Sequence, residues 1–411
     1  MQVASLLKQL IREGTLEIIG ADGRTRHCVG TTPGLNVTIR IHDRKLERRM
    51  FWNPRLAIGE GYMEGKLTIE HGTLYDFLDL LAINQELAKP PAILHLVDLL
   101  NYLWRRLGQI NDPSRARRNV AHHYDLSSQL YELFLDTDRQ YSCAYFGRDG
   151  DDLERAQLRK KQHIARKLLL EPGQRVLDIG CGWGGLAMTL AASADVEVLG
   201  ITLSVEQQAV ATQRAEAAGL SHKVRFELRD YRDVVGEFDR IVSVGMFEHV
   251  GLPNYGRFFE QIRKLLKPDG IAVLHSIGRS DGPGATNAWL RKYIFPGGYS
   301  PALSEVLPAV EAAKLFVTDI EVLRLHYART LAAWRTRFTA NRAAIAELYD
   351  ERFCRMWEFY LIGSEIAFRR QGHMVWQMQM AREVGSVPLT RDYIYERSAE
   401  ALSVVSKASA A

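Results

Sequence analysis

Two ionisable residues stand at the ends of neighbouring apolar runs in this 411-residue chain. Glu248 falls in Gly245-Met246-Phe247-Glu248-His249-Val250-Gly251, directly after the run Phe238 to Val244, and His275 closes the run Ile271 to His275. A carboxylate and an imidazole at adjacent strand ends are the types that accept and donate protons. Cys143 lies in the aromatic-rich segment Tyr141 to Phe146, and Tyr327 in His326 to Trp334. Taken singly, each of the four is an ordinary core residue, a satisfied His or Tyr or a Cys acting as a small hydrophobe. Glu248 and His275 together carry more weight than either alone.

A second signature is Val176-Leu177-Asp178-Ile179-Gly180-Cys181-Gly182-Trp183-Gly184-Gly185. Apolar residues end a strand, glycines let the backbone turn sharply against a ligand, and the helix that follows presents free N–H groups. The spacing Gly180-x-Gly182-x-x-Gly185 formally matches the dinucleotide fingerprint. A nicotinamide site, however, wants an acid about 20 residues further on to hold a ribose. The second apolar run ends instead in Gly200-Ile201-Thr202-Leu203-Ser204, without a carboxylate. Asp178, two residues before the first glycine, suits a cofactor with a cationic end better than a pyrophosphate. S-adenosylmethionine carries both a sulfonium and an ammonium, so the loop reads as a methyltransferase site.

The elements that must position these residues follow from periodicity. From Arg175 the order strand, loop, helix, strand, helix, strand predicts an α/β domain, Rossmann-like and doubly wound. Its first strand starts at Arg175 and runs into the glycine loop, and the others are Val196 to Leu199, Val224 to Leu228, Phe238 to Val244 and Ile271 to His275, with a helix from Ser204 to Ala218. Ligands in such sheets bind beyond the carboxyl ends of the strands, so the loops at Asp178, Gly200, Asp230, Gly245 and His275 should converge on one crevice. Before this domain, Leu16 to Ile19, Leu35 to Ile41 and Leu67 to Glu70 alternate apolar and polar residues, which predicts a small antiparallel α+β module. An amphipathic helix from Ser5 to Gly14 precedes it, and an apolar helix from Ala92 to Leu107 follows. The expected organisation is 1–110 as an N-terminal packing or substrate-presenting domain, 111–122 as a linker around Asn111-Asp112-Pro113-Ser114, and 123–411 as the catalytic domain.

Composition narrows the functional classes. Fifty-three basic residues against 49 acidic ones give +4, which argues against a dedicated nucleic-acid binder. Cys28, Cys143, Cys181 and Cys354 show no CxxC or Cys/His ligand spacing, so neither a disulfide nor a metal site is expected, and a reducing cytoplasm fits. No run reaches the 18 or so apolar residues of a membrane span. Arg105, Arg106, Arg115, Arg117 and Arg118, beside the apolar helix, suit a solvated face or the anionic surface of a phospholipid membrane.

The runs YSCAYF, VLDIGCGWGG, ITLSVEQ, GMFEHVG, LHSIG, KYIFPGG and HYARTLAAW resemble those of the cyclopropane-fatty-acyl-phospholipid synthases and the mycolic acid cyclopropane synthases, in unbroken order over about residues 115–390. The domain before them resembles the phospholipid-acting members, since the mycolate enzymes lack it, which implies a lipid-presenting role for 1–110. The resemblance implies methylene transfer from S-adenosylmethionine to the cis double bond of a phospholipid acyl chain, with a bound bicarbonate as base. It implies bicarbonate binding by Cys143, Glu248, His275, Tyr327 and the N–H of Ile277. It implies cofactor binding by Tyr141, Ser142, Asp178, Gly180, Gly182, Trp183, Gly184, Thr202, Leu203, Gln207, Asp230 and Tyr231, with Thr202 and Gln207 at the ribose. It also implies a homodimer at the inner face of the plasma membrane. Ser364 stands where many members carry a second cysteine, which disfavours a covalent thiol route. The faces of Tyr141, Tyr145, Phe146, Phe295, Tyr327 and Trp334 are candidate cation–π partners. Trp334, Phe338, Phe353, Met356, Trp357 and Tyr360 are candidate walls of an acyl tunnel. Two alternatives stay open: a related methyltransferase that leaves a methyl or methylene branch, and a non-catalytic lipid binder on the same fold.

Overall fold

The computed structural model describes residues 10–87, apart from the side chain of Glu86, and 127–395. The expected helix Ala92 to Leu107, the arginine cluster, the linker and the tail from Ser398 lie outside the described residues, as does the first half of the stretch from Ser5 to Gly14, whose last two residues belong to a strand rather than to the expected helix.

The N-terminal module runs β1 (Glu13–Ile19), β2 (Thr25–Val29), β3 (Thr32–Ile41), α1 (Arg44–Trp52), α2 (Pro54–Met63), β4 (Leu67–His71) and α3 (Leu74–Leu87). Strand β1 alternates half-buried and buried residues along its length, as a sheet covered on one face requires. The strand order is β2-β1-β3-β4. The expected antiparallel module is corrected here: β1 pairs with β2 and β3 with β4 antiparallel, but β1 pairs with β3 in parallel. Periodicity reports which face of a strand is buried, not which neighbour it takes. Asn53 caps α2, its side chain accepting from the Leu56 N–H, and Pro54 occupies the first turn, where a missing N–H costs nothing.

The C-terminal part, the one expected to be catalytic, begins with α4 (Ser128–Phe134) and α5 (Leu153–Leu168) and enters the sheet at β5 (Arg175–Ile179). Then come α6 (Gly185–Ala194), β6 (Glu197–Thr202), α7 (Val205–Ala217), β7 (Val224–Leu228), β8 (Phe238–Val244), α8 (Tyr255–Leu265) and β9 (Leu266–Arg279). After β9 follow α9 (Ala288–Tyr293), α10 (Leu303–Ala312), β10 (Phe316–Val322), α11 (His326–Ala340), α12 (Arg342–Leu348), α13 (Glu351–Arg370), β11 (His373–Ala381) and α14 (Asp392–Tyr395). The seven strands stand in the order β10-β11-β9-β8-β5-β6-β7. Strands β5 to β9 pair in parallel, and β11 joins β9 and β10 antiparallel. Strand β8 is buried at six consecutive positions, because helices cover both faces of a parallel sheet. This is the expected Rossmann-like fold, extended by an antiparallel edge.

The module and the catalytic part share packing. Ile362 and Ile366 of α13 belong to the apolar core of the module. Trp289 of α9 donates its indole N–H to Met63 Sδ at 3.1 Å, Tyr62 donates to Glu358 at 2.8 Å, and Arg370 pairs with Asp79 at 3.0 Å. Glu60 is engaged by Arg49, by Lys292 at 2.7 Å and by Tyr293 at 2.8 Å.

Candidate active site

The glycine loop leaves β5 and enters α6 as expected. Gly180 has φ +84°, and a Cβ there would stand 2.8 Å from Met246 Cβ, so both conformation and space demand glycine. Around this loop lies a cavity of about 160 Å³. Tyr141, Ser142, Asp178, Gly180, Gly182, Trp183, Thr202, Leu203, Gln207, Asp230 and Tyr231 all line it. Gly184 does not. It caps α6 at φ +83°, against Phe226 and Ala211, and its part is in packing.

Asp178 is buried and its Oδ2 has no hydrogen-bond partner among the described residues. Burial raises its pKa to about 7, with Lys160 pulling the other way. A lone buried carboxylate oxygen at a cavity wall is what a cationic ligand satisfies. Thr202 donates its hydroxyl to Gln207 Oε1 at 2.9 Å, which holds the two predicted ribose partners together. Asp230 accepts from Arg232 Nε at 2.8 Å and Nη2 at 2.6 Å, so both its oxygens already have a partner. Arg139, Gln140, Arg229, Arg232, Met246 and His249 also line the cavity. None carried a motif signal of its own, although His249 follows Glu248 directly.

A second cavity, of about 690 Å³, shares Tyr141, Ser142, Gly245 and His249 with the first. Cys143, Glu248, His275, Ile277 and Tyr327, called from four separate stretches of sequence, all line it. A one-turn helix just past β8 carries Glu248, and β9 carries both His275 and Ile277. Tyr327 stands in the first turn of α11, and Thr330 one turn later accepts from the Ala144 N–H at 3.1 Å, fixing the Cys143 segment to the same helix.

The carboxylate and imidazole are tuned in opposite directions by one cause, burial. It raises Glu248 to about 7, against the Ile277 N–H, which donates to Glu248 Oε1 at 2.6 Å. Glu248 Oε2 is buried without a hydrogen-bond partner among the described residues. Burial, with Lys160 and Lys167 adding to it, pushes His275 well below its ordinary value, so the ring is neutral. The Gln377 amide nitrogen faces His275 Nδ1 at 3.1 Å. Since that group only donates, Nδ1 accepts and the ring proton is assigned to Nε2. The Cys143 thiol donates to the Ala144 carbonyl at 3.3 Å, and burial pushes its pKa up. It is an inert thiol rather than a nucleophile.

Several aromatic expectations are corrected by position. Tyr141, Phe295, Tyr327 and Tyr360 line the second cavity, while Trp334 backs Tyr141 by stacking at 5.1 Å. Tyr145 is stacked between His163 and His326, and Phe146 lies under Arg329. Phe338, Met356 and Trp357 belong to the core cluster or pack on it, as does Phe353, and only Tyr360 of that predicted helical wall reaches the cavity. The wall is the adjacent face of α13: Phe359, Tyr360, Gly363, Ser364, Ile366 and Ala367. Ser364 lies on this wall, whereas Cys354 is buried outside both cavities with its thiol toward the Arg342 carbonyl. The module supplies the opposite wall through Pro54, Arg55, Ile58, Leu78, Leu81, Ala82 and Gln85. Among the described residues no cluster of His, Cys, Asp or Glu could hold a metal ion, and no helix is long and apolar enough to cross a membrane.

A mostly parallel seven-stranded sheet, with a glycine loop and a lone acid at its carboxyl edge, defines the Rossmann-like methyltransferases that use S-adenosylmethionine. The sequence signature described as mycolic acid cyclopropane synthetase matches residues 111–378, and the chain belongs to that family. It is 41% identical to the cyclopropane-fatty-acyl-phospholipid synthase of Escherichia coli K12, over 84% of this chain and 88% of that one. It is 37% identical to the tuberculostearic acid methyltransferase UfaA1 of Mycobacterium tuberculosis, over 92% and 90%. The crystal structure of the mycolic acid cyclopropane synthase CmaA1 complexed with SAH and CTAB superposes with a TM-score of 0.61 at 35% identity, covering 64% of this chain and 97% of that one. The protein is accordingly an enzyme of the S-adenosylmethionine-dependent methyltransferase type.

Proposed function

We propose that the enzyme adds a methylene group from S-adenosylmethionine across the cis double bond of phospholipid acyl chains, closing a cyclopropane ring. The carrying observation is that Cys143, Glu248, His275 and Tyr327 meet on a long cavity sharing a wall with the cofactor cavity. An alkene is a weak nucleophile, so taking up a methyl group leaves a cation on the acyl chain. Ring closure then needs one proton to leave the new methyl group.

S-adenosylmethionine, when bound, supplies the electrophilic methyl group. Asp178, Thr202 and Gln207 would hold it, in a cavity that Tyr141 and Trp183 also line. The residues present also fit bicarbonate, which when bound supplies the base. Glu248 Oε2 is an orphaned acceptor for its O–H, and the Nε2–H of His275 and the hydroxyl of Tyr327 are donors for its oxygens. The Ile277 N–H already serves Glu248 and the Cys143 thiol serves Ala144, so these two shape the site around the other three. Phe295, Tyr327 and Tyr360 face the cavity and offer a cation π-electrons and no nucleophile.

We take the partner to be the surface of a phospholipid membrane, reached through the second cavity, whose lining includes Arg55 and Gln85 of the module and Arg370 of α13. The test is product analysis after incubation with vesicles of a cis-monounsaturated phospholipid and a methyl-deuterated donor. A gain of one methylene unit with disappearance of the olefinic proton signals is the expected result. The likeness to UfaA1 over 92% of this chain favours a second reading, a product with a methyl or methylene branch in place of the ring, and a modified lipid without cyclopropane proton signals would select it. No modified lipid from a preparation that binds the cofactor product S-adenosylhomocysteine would overturn both.

A further inference from the structure

Lys160 is a buried titratable group with no part in the chemistry above. Its side chain, on α5, is wholly covered, and its Nζ donates to Gln140 Oε1 at 2.6 Å and to Ser142 Oγ at 2.8 Å. Both acceptors are uncharged, whereas the adjacent Lys161 pairs with Asp138 at 2.5 Å. Burying an ammonium on neutral acceptors is costly. Gln157, one turn earlier, donates its Nε2 to the carbonyls of Gln140 at 3.1 Å and Ser142 at 2.9 Å. Two side chains of α5 therefore clamp one short stretch of chain. That stretch is the partition between the two cavities, for Ser142 lines both.

An ammonium has three protons and no lone pair, so any oxygen facing it accepts. Gln140 is thereby fixed with Oε1 toward Lys160 and with Nε2 donating to Asp138 Oδ2 at 3.0 Å. The Ser142 hydroxyl, receiving on its Lys160 side, must send its single proton elsewhere. We propose that Lys160 is a positioning residue that fixes Ser142 as a hydrogen-bond donor to an acceptor oxygen of bound S-adenosylmethionine. The inference rests on the assignment of the first cavity to that cofactor.

The test is a double-mutant cycle read by calorimetric binding of S-adenosylhomocysteine, with melting curves to confirm folding. Lys160→Met and Ser142→Ala are each expected to weaken binding about tenfold, and the double variant no further than either single one. Losses that multiply, or a Lys160→Met variant within about twofold of wild type, overturn the inference. A merely structural lysine would move the melting curve without coupling to Ser142. No binding by the wild type would sink the cofactor assignment itself.

Should Lys160→Met not fold, the pH dependence of the same binding decides. Asp136, Asp138, Lys161, Cys143, Asp178 and His275 face Lys160 electrostatically, and burial is the largest influence, lowering it to about 8. A deprotonated amine accepts the Ser142 proton. Wild-type affinity should then fall toward that of Ser142→Ala as pH rises through about 8, and parallel curves for the two proteins overturn the inference.

Discussion

Glu248 is neutral or charged at the site according to conditions near physiological pH, because burial places its titration at about 7. Holding the O–H of a bound anion requires the charged form. The turnover rate should therefore climb as pH rises through about 7. Glu248→Gln should lower turnover by about two to four orders of magnitude and abolish that limb, while S-adenosylhomocysteine binding stays within about twofold. Rates and calorimetry across the pH range check this, and a Gln variant of wild-type rate removes Glu248 from the mechanism. The same shift fixes a stability sign. Glu248 titrates higher folded than its ordinary 4.5, so the unfolded chain releases its proton first, and the folded state loses stability as pH rises from 4.5 to 7. Above that window the Gln variant, which has nothing to ionise, should melt at a higher temperature than wild type. At this scale the sequence displayed the reactive types, Cys143, Glu248, His275 and Tyr327, because unusual residues in distinctive runs stand out singly. It hid Gln377, Lys160 and Gln157, whose roles arise from distances across elements.

The elements were legible where one helix alternates with one strand. The strands β7 and β8 stand at their expected residues, β5 starts where expected, and β6 and β9 run past the expected ends. Strand β11 escaped because its sequence, His373-Met374-Val375-Trp376-Gln377-Met378-Gln379-Met380-Ala381, sets glutamines among apolar residues in a strand buried almost throughout. Those glutamines find partners, Gln377 at His275 Nδ1 and Gln379 at the Lys167 carbonyl, which no periodicity reveals. Strand β10 is a sheet edge whose outer residues are exposed, so its alternation is weak. Element packing also gives a prediction. A Cβ on Gly59 of α2 would stand 2.5 Å from the Trp289 indole of α9, a fully buried ring with little room to move. Gly59→Ala should cost about 1–3 kcal/mol through overpacking, despite the better helix propensity of alanine. Denaturant melts measure it, and an unchanged midpoint would mean that α2 and α9 slide apart freely.

For the molecule as a whole, the module completes the second cavity rather than standing beside it. Its α3 presents Leu78, Leu81, Ala82 and Gln85 at helical spacing toward the same space that α13 lines from the other side. Glu60 helps hold the two parts together: burial opposes its charge, but Lys292, Tyr293 and Arg49 outweigh burial and bring it down to about 2. That stabilisation is complete above the ordinary 4.5 and is lost as pH falls toward 2, so acid in that range should weaken the hold between the two parts. A substitution on the module should therefore change how lipid is used without touching the cofactor. Ile58 lines the second cavity from α2 of the N-terminal module, away from Glu248 in the chain and outside the first cavity. Ile58→Trp would fill part of the space that an acyl chain needs. Activity on long-chain phospholipid vesicles should fall about tenfold or more, the equivalent of roughly 1.4 kcal/mol, while S-adenosylhomocysteine affinity stays within about twofold. A shorter-chain lipid should recover part of the loss, because it has less to place in the narrowed space. Equal losses on short and long chains would mean that the α2 side of the cavity is not where the acyl chain lies, and that the module acts by some means other than forming its wall.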